Sequence, residues 1–389
     1  MPLDILINGG GIAGPCLAFW LTRQGHAVTI TEQARQLRTG GQAVDFRGPS
    51  LVVLDKMGLL DQVRASATQM GPLVLVDDRG KEVGRLPAEV ISGELEIFWG
   101  DLARILYEAV REDVDYRFGV RVTALADDAE RIEATFSDAS AGTYDLVIGA
   151  DGLHSGVRGL VFGPEAQHVT QLGQCFGFFD MENHLRLDHC GMACRLPGRT
   201  AVLQATDPDK PARASFFLTD PQLDFDYRDT EGNLRLFAER FAGMGWEVPH
   251  LLEALAEAPE VYFDSIAQVH LGSYSRGRVC LVGDAAWCAS PRSGMGTSLA
   301  VVGAYVLAHE LGAACGDHAA AFAKYQQLLV PYVARCQKLA IGNLKLDDPS
   351  SWISRFQKVG LRLLRIPAVS KLVARQSLAV GRSFTLPSY

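Results

Sequence analysis

Three glycine-rich segments carry residue types and spacings that could do chemistry. Gly9-Gly10-Gly11-Ile12-Ala13-Gly14 is a G-x-G-x-x-G hexapeptide between an apolar run, Leu3 to Asn8, and a segment with helical apolar spacing. In such a turn Gly9 permits the tight bend, Gly11 lets a pyrophosphate approach the backbone, and Gly14 allows close packing of helix on strand. Beyond Ile12 and Ala13 the helix N-terminus presents unpaired N–H groups and partial positive charge to phosphates. Glu32 lies 18 residues after Gly14, at the expected end of a second strand, where a carboxylate accepts hydrogen bonds from a ribose diol. Its charge would repel a 2′-phosphate, so the pair of features fits an unphosphorylated adenosine such as that of FAD or NAD. The second segment, Gly149-Ala150-Asp151-Gly152-Leu153-His154-Ser155-Gly156-Val157-Arg158, ends another apolar run. The third is Gly283-Asp284-Ala285-Ala286, with Pro291 and Gly294-Met295-Gly296 behind it.

The elements around these loops follow from periodicity. Leu3 to Asn8 reads as a buried parallel strand, followed by a helix with Pro15 in its first turn and Gly25 past its end. Ala27 to Thr31 completes a βαβ unit, a connection that is nearly always right-handed. Glu82 to Phe98 reads as strands and turns, and a helix is expected from Asp101 with Leu102, Ile105 and Leu106 facing a core. Val120 to Leu125 and Arg131 to Phe136 predict a hairpin, and Asp145 to Gly149 another buried strand. From about Gln171 to His270 apolar and polar stretches alternate, as in Cys175 to Phe179, Thr200 to Ala205 and Ala214 to Leu218, which predicts antiparallel sheet. Arg278 to Val282 returns to the buried-strand type, and a long helix is expected from Gly296 to Leu311. Ser351 to Ser377 has mostly helical apolar spacing broken at Pro367.

Composition removes whole classes of function. A net charge of -8 over 389 residues argues against nucleic acid or an anionic membrane as the main partner, since both need clustered Lys and Arg. Leu299 to Leu311 is interrupted by His309 and Glu310 and is too short to span a bilayer. The first strand begins at residue 3 without a basic n-region or cleavage site, so a cytoplasmic location is expected. Thiols stay reduced there, and Cys190 and Cys194, near His184 and His189, lack the paired spacing of a zinc ribbon. No metal site is expected.

The three glycine-rich motifs, in this order on one chain from residue 9 to about residue 310, resemble those of the FAD-dependent aromatic hydroxylases, the monooxygenases typified by p-hydroxybenzoate hydroxylase. In length and in its C-terminal helical segment the chain looks most like tetracycline-inactivating and antibiotic-tailoring members. The resemblance implies an α/β fold: a discontinuous Rossmann-type FAD-binding domain (1–72, 101–170 and 271–345), an inserted antiparallel β-sheet substrate domain (73–100 and 171–270) and a C-terminal helical segment (346–389) across the body. It implies that Gly9, Gly11, Ile12, Ala13 and Gly14 take the FAD pyrophosphate, Glu32 the adenosine ribose, and Asp284 the ribityl chain or its neighbouring phosphate. Pro291 would sit by the flavin, and backbone N–H groups of Gly294, Met295 and Gly296 would face its pyrimidine edge, which becomes anionic on reduction. Asp45, Arg47, Val122, Asp151 and Gly283 would also border the cofactor; the resemblance associates Asp151 with both FAD and NAD(P)H binding, and its plain structural role is to cap the turn after it. The chain departs from the pattern twice. Trp99 stands where the family often has an Arg that touches FAD, leaving that contact missing or supplied by Arg104 or Arg47. Trp287 stands where it often has His, either shaping the active site or simply packing.

The implied chemistry is that NADPH or NADH reduces FAD, O2 adds to the reduced ring at C4a, and the hydroperoxide places one oxygen atom on an aromatic or polycyclic small molecule, hydroxylation being the expected outcome and Baeyer-Villiger oxidation or epoxidation by the same species staying open. With a single glycine fingerprint the nicotinamide nucleotide has no evident domain of its own and would bind transiently. The substrate would lie between flavin and sheet, with Phe176, Phe178 and Phe216 as expected pocket residues; Phe179 and Phe217 lie on the same strands. No residue is expected as catalytic acid or base. Two alternatives stay open: a flavin-dependent halogenase, although the Trp-x-Trp-x-Ile-Pro segment shared by those enzymes is absent, and a non-catalytic flavoprotein that sequesters a drug or pigment.

Overall fold

The computed structural model describes residues 2–38, 40–128, 130–347 and 378–389. Its first layer is a six-stranded sheet in the order Ser275–Arg276, Val279–Leu281, Leu146–Gly149, Asp4–Asn8, Ala27–Glu32, Asp115–Phe118. All neighbours run parallel except the first pair. Strands in the middle of a parallel sheet are covered on both faces, and Leu146–Gly149 is buried at every position. The helix Ala13–Arg23 packs against the helix Gly296–Ala313, which is apolar on nearly all sides because helices Pro49–Lys56 and His318–Asp347 enclose it further. A three-stranded antiparallel sheet, Val122–Asp127, Ile132–Phe136 and Ala141–Tyr144, contains the expected hairpin.

The second large layer is a seven-stranded sheet in the order Tyr262–Val269, Val169–Met181, Ala212–Thr219, Arg199–Ala205, Cys190–Leu196, Leu73–Val76, Glu82–Leu86. It is antiparallel apart from the pairing of Cys190–Leu196 with Leu73–Val76. Two helices that the alternation between 171 and 270 did not predict, Thr230–Phe241 and Val248–Glu257, cover its back face. Leu95–Phe98, expected with the substrate-side strands, pairs instead with Ala43–Phe46. The segment Ser351 to Ser377 lies outside the described residues. Of the C-terminal stretch, 378–389 packs on the nucleotide-side core through Val380, Phe384 and Leu386, and Tyr332 Oη donates to the Gly381 carbonyl at 3.2 Å. Among the described residues no helix is long and apolar enough to cross a membrane.

Sheet pairing decides which phenylalanines face which layer. Side chains alternate faces along a strand, and directly opposed residues share a face. Phe217 is opposed to Phe176, whereas Phe216 is opposed to Gly177, whose position is filled on the back face by the Phe263 ring, 2.6 Å from where a Cβ would stand. Phe216 therefore belongs to the core: it is 1% exposed and lies between Phe237 and Phe241, with ring centroids 6.3 and 4.7 Å away. The expectation that Phe216 lines the pocket is corrected, and Phe217 occupies that face. Phe216→Ala is accordingly expected to lower the unfolding free energy by about 3–5 kcal/mol, as for other large core rings, while Phe217→Ala costs clearly less; urea titration of both variants checks the assignment.

Candidate active site

The register of the parallel sheet ends three strands level with one another. Asn8 is paired with Gly149, and Gly149 with Leu281, so the loops beginning at Gly9, Ala150 and Val282 emerge side by side from the carboxyl edge, where open α/β sheets bind ligands. Asn8, at the end of the first strand, ties the first loop to the second. Its Oδ1 accepts from Thr31 Oγ1 at 2.9 Å and from the Val122 N–H at 3.0 Å, and its Nδ2 donates to Asp151 at 2.9 Å. Arg158 joins the second loop to the third, donating to the carbonyls of Leu153 at 2.6 Å and Ala285 at 3.0 Å. Neither role was foreseen; the only signal for Asn8 is a polar residue closing an apolar strand.

A cleft of about 1280 Å³ runs from these loops to the front face of the seven-stranded sheet. At its nucleotide end the glycines are there for steric reasons. Gly9 has φ 119°, and a Cβ on Gly14 would overlap the Gly9 carbonyl oxygen. Over Gly11 the nearest atom is Trp99 Cζ2 at 3.5 Å, and the remaining space is the cleft. The helix starting at Ala13 has no side-chain cap and no acidic residue in its first turn, so its first amides face the cleft without a protein partner. Glu32 borders the same space, its carboxylate fixed by the N–H groups of Gly10 at 2.9 Å and Ala34 at 2.8 Å.

The other expected cofactor residues divide into those that line the cleft and those that stand behind it. Gly283, Asp284, Pro291, Gly294, Gly296, Asp45, Val122 and Asp151 line it. Asp151 accepts from Ser155 Oγ at 2.5 Å and from the Val157 N–H at 3.1 Å; burial raises its pKa against these bonds. Burial also pushes Asp284 to about 6, with a hydrogen bond from Cys288 opposing and the charge of Asp264 reinforcing the shift. Asp45 is likewise pushed up by burial to about 6, against the pull of Arg47. Two expectations are corrected. Arg47 lies behind the third loop, its guanidinium 3.1 Å from Asp45 Oδ2 and its Nη1 3.0 Å from a Cβ position on Gly294. Met295 is 0% exposed, and its N–H donates to Ser293 Oγ at 3.1 Å while that of Gly294 donates to the Pro291 carbonyl at 3.1 Å. The amides that open towards the cleft are therefore those starting the uncapped helix at Gly296 and Thr297.

Both departures from the family pattern resolve. Trp99 lines the cleft beside Gly11 and Gly41, whereas Arg104 points outward and pairs with Asp101 at 3.1 Å. Trp287 is packing: it is 1% exposed and lies against Tyr274, Tyr325 and Gly303, away from the cleft. At the far end Phe176 stacks with Phe178 at 6.2 Å and 13° and with Phe217 at 6.0 Å and 27°. Tyr262, opposed to Phe178 in the sheet and missed in the sequence, extends this row at 4.9 Å.

The raised pKa of Asp284 makes a stability prediction. Between its ordinary 3.8 and about 6 the folded chain keeps a proton that the unfolded chain has released, so stability falls as pH rises through that window. Asp284→Asn is expected to remove this slope and to stabilise the ligand-stripped protein at neutral pH by about 1–2 kcal/mol, a value discounted for access of water to the cleft. Chemical denaturation at acid and neutral pH reads both effects.

Comparison with known proteins agrees with this geometry. The FAD binding domain family matches residues 2–213 and 222–345. An uncharacterized protein of Mycobacterium tuberculosis (strain H37Rv) is 41% identical over 351 residues, 89% of this chain and 94% of that one. A flavin-dependent monooxygenase of Legionella longbeachae is 34% identical over 343 residues, 87% and 88% of the two chains. The crystal structure of the tetracycline destructase Tet(51) superimposes with a TM-score of 0.89 at 33% identity over 100% of both chains. A βαβ unit with a bare helix N-terminus, open space over Gly11 and a cleft of about 1280 Å³ beside it are thus accounted for: the chain belongs to the FAD binding domain family and is a flavin-dependent monooxygenase, using FAD and O2 on a small-molecule substrate.

Proposed function

We propose that the protein hydroxylates a flat aromatic or polycyclic molecule, with NADPH or NADH as a transient reductant. The observation that carries this reading is the continuity of one cleft from the glycine loop to the row Phe178, Phe176, Phe217. These rings, with Arg213 5.0 Å from the Phe178 ring centre and Arg292 5.3 Å from that of Phe217, would offer an aromatic wall to fused rings. Gly9, Gly11, Ile12, Ala13 and Gly14 would hold the pyrophosphate of FAD at the helix N-terminus, Glu32 its adenosine ribose, and Asp284 its ribityl chain. Pro291, Gly294 and Gly296 would border the ring system. Bound FAD supplies the electron transfer and the activation of O2. The chain would contribute positioning and exclusion of water: Trp99 lines the cleft beside the glycine loop, and the uncapped helix at Gly296 offers amides to negative charge on the ring edge. A ribose 2′-phosphate has no favourable partner at Glu32, which supports an unphosphorylated adenosine such as that of FAD in this site; the nicotinamide nucleotide would be a visiting reactant.

Two outcomes are expected. Gly11→Trp fills the open cradle and yields a colourless protein, and Asp284→Ala yields a weakly loaded one, both read from flavin absorbance per protein; full loading of both variants contradicts the assigned residues. NADPH oxidation accelerates on adding a polycyclic phenol such as tetracycline, and oxygen-18 gas appears in the product. Label arriving only from water overturns the oxygenation.

A further inference from the structure

Cofactor holding and oxygenation leave one cluster of titratable groups in the cleft wall without a role. His154, in the second loop, has Nδ1 3.0 Å from Glu165 Oε1 and Nε2 3.1 Å from Asp264 Oδ1. Carboxylate oxygens only accept, so a neutral ring with its single N–H would oppose two acceptors on one side, whereas an imidazolium donates to both. Its face stacks on Tyr227, centroids 3.6 Å apart at 16°. Asp264 also accepts from Tyr262 Oη at 2.7 Å.

These partners come from separate walls. Asp264 and Tyr262 belong to the edge strand of the seven-stranded sheet, opposed to Phe176 and Phe178. Tyr227 belongs to the 220–229 loop leading into the helix Thr230–Phe241, and Glu165 to the short turn Glu165–Gln167. His154 stands on the carboxyl edge of the other sheet. We propose that His154 is a positioning residue whose imidazolium, held between Asp264 and Glu165, fastens the 220–229 loop and the Tyr262 edge of the phenyl row to the nucleotide-side loop and so closes the substrate end of the cleft. The inference rests on that end being the substrate wall, but the latch itself is measurable without any substrate.

Other charged groups nearby set the direction. Arg158 lies 3.7 Å from Glu165, and the Arg228 guanidinium is 4.7 Å from the Tyr227 ring centre. Burial, with the charge of Asp264, raises the Tyr262 phenol, and Arg38 opposes this; burial raises Tyr227 as well. Asp284, raised by burial and by the charge of Asp264, carries its own charge above about 6. Burial opposes a charge on His154, yet the carboxylates of Asp264 and Glu165 outweigh it and hold the ring above its ordinary 6.5. The fastening is thus complete below that ordinary value and is lost as pH rises through the raised one.

Hydrogen–deuterium exchange of the FAD-loaded full chain, read by mass spectrometry at a series of pH values from about 6 to about 9 to bracket a raised histidine pKa and corrected for intrinsic rates, tests this. In the wild type, exchange in 220–229 is expected to be several-fold faster at the highest pH than at the lowest. His154→Gln is expected to exchange fast throughout, and Asp264→Asn to move the midpoint of the response downward. A pH-independent loop in the wild type overturns the proposal even if a variant fails to fold. So does a wild-type pH response retained in His154→Gln, or an unmoved midpoint in Asp264→Asn. Because no turnover is measured, a chain that fails to oxygenate the probe would leave these outcomes distinct.

Discussion

The level ending of three parallel strands is the constraint on which the site depends. Hydrogen bonding in a parallel ladder fixes register, and here it sets Asn8, Gly149 and Leu281 abreast, so that loops far apart in sequence open onto one edge. Asn8 and Arg158 then lock the loops laterally through hydrogen bonds to Asp151, Val122, Leu153 and Ala285. A shift of one residue in any of the three strands would carry its motif out of the cleft while leaving the sequence of that motif intact.

Electrostatics in the cleft follow from the same edge. Two helices, beginning at Ala13 and Gly296, start there without side-chain caps, which leaves their positive poles directed into the cavity. Asp45 and Asp284 face the same space, and enclosure by protein makes their charge costly. The nucleotide end therefore combines fixed dipoles, which need no protonation to act, with carboxyls whose charge depends on how much water the cavity admits.

Much of this was legible because buried parallel strands read as unbroken apolar runs and glycine is tolerated in few other roles at such spacing. The strands Asp4–Asn8, Ala27–Glu32 and Leu146–Gly149 and the order of the three motifs could be read for that reason. What escaped depends on partners distant in sequence. The face taken by Phe216 is decided by Gly177 and Phe263 on neighbouring strands, and the N–H of Arg47 is bound by Ser298, 251 residues away. Met295 carries the loop signature, but its amide is consumed by Ser293. The helices Thr230–Phe241 and Val248–Glu257 lie within a region dominated by strand alternation, and the partners of His154, Glu165 and Asp264, are 11 and 110 residues away.

The seven-stranded sheet has its aromatic core on one side and its open row of rings on the other, and the two are interleaved one residue at a time along the same strands. Cleft lining and packing are thereby written on alternate letters. Point changes at Phe178 or Phe217 reach the cleft lining, whereas Phe176 is buried and packs between them. A single-residue insertion within Ala212–Thr219, by contrast, would exchange the two alphabets at once.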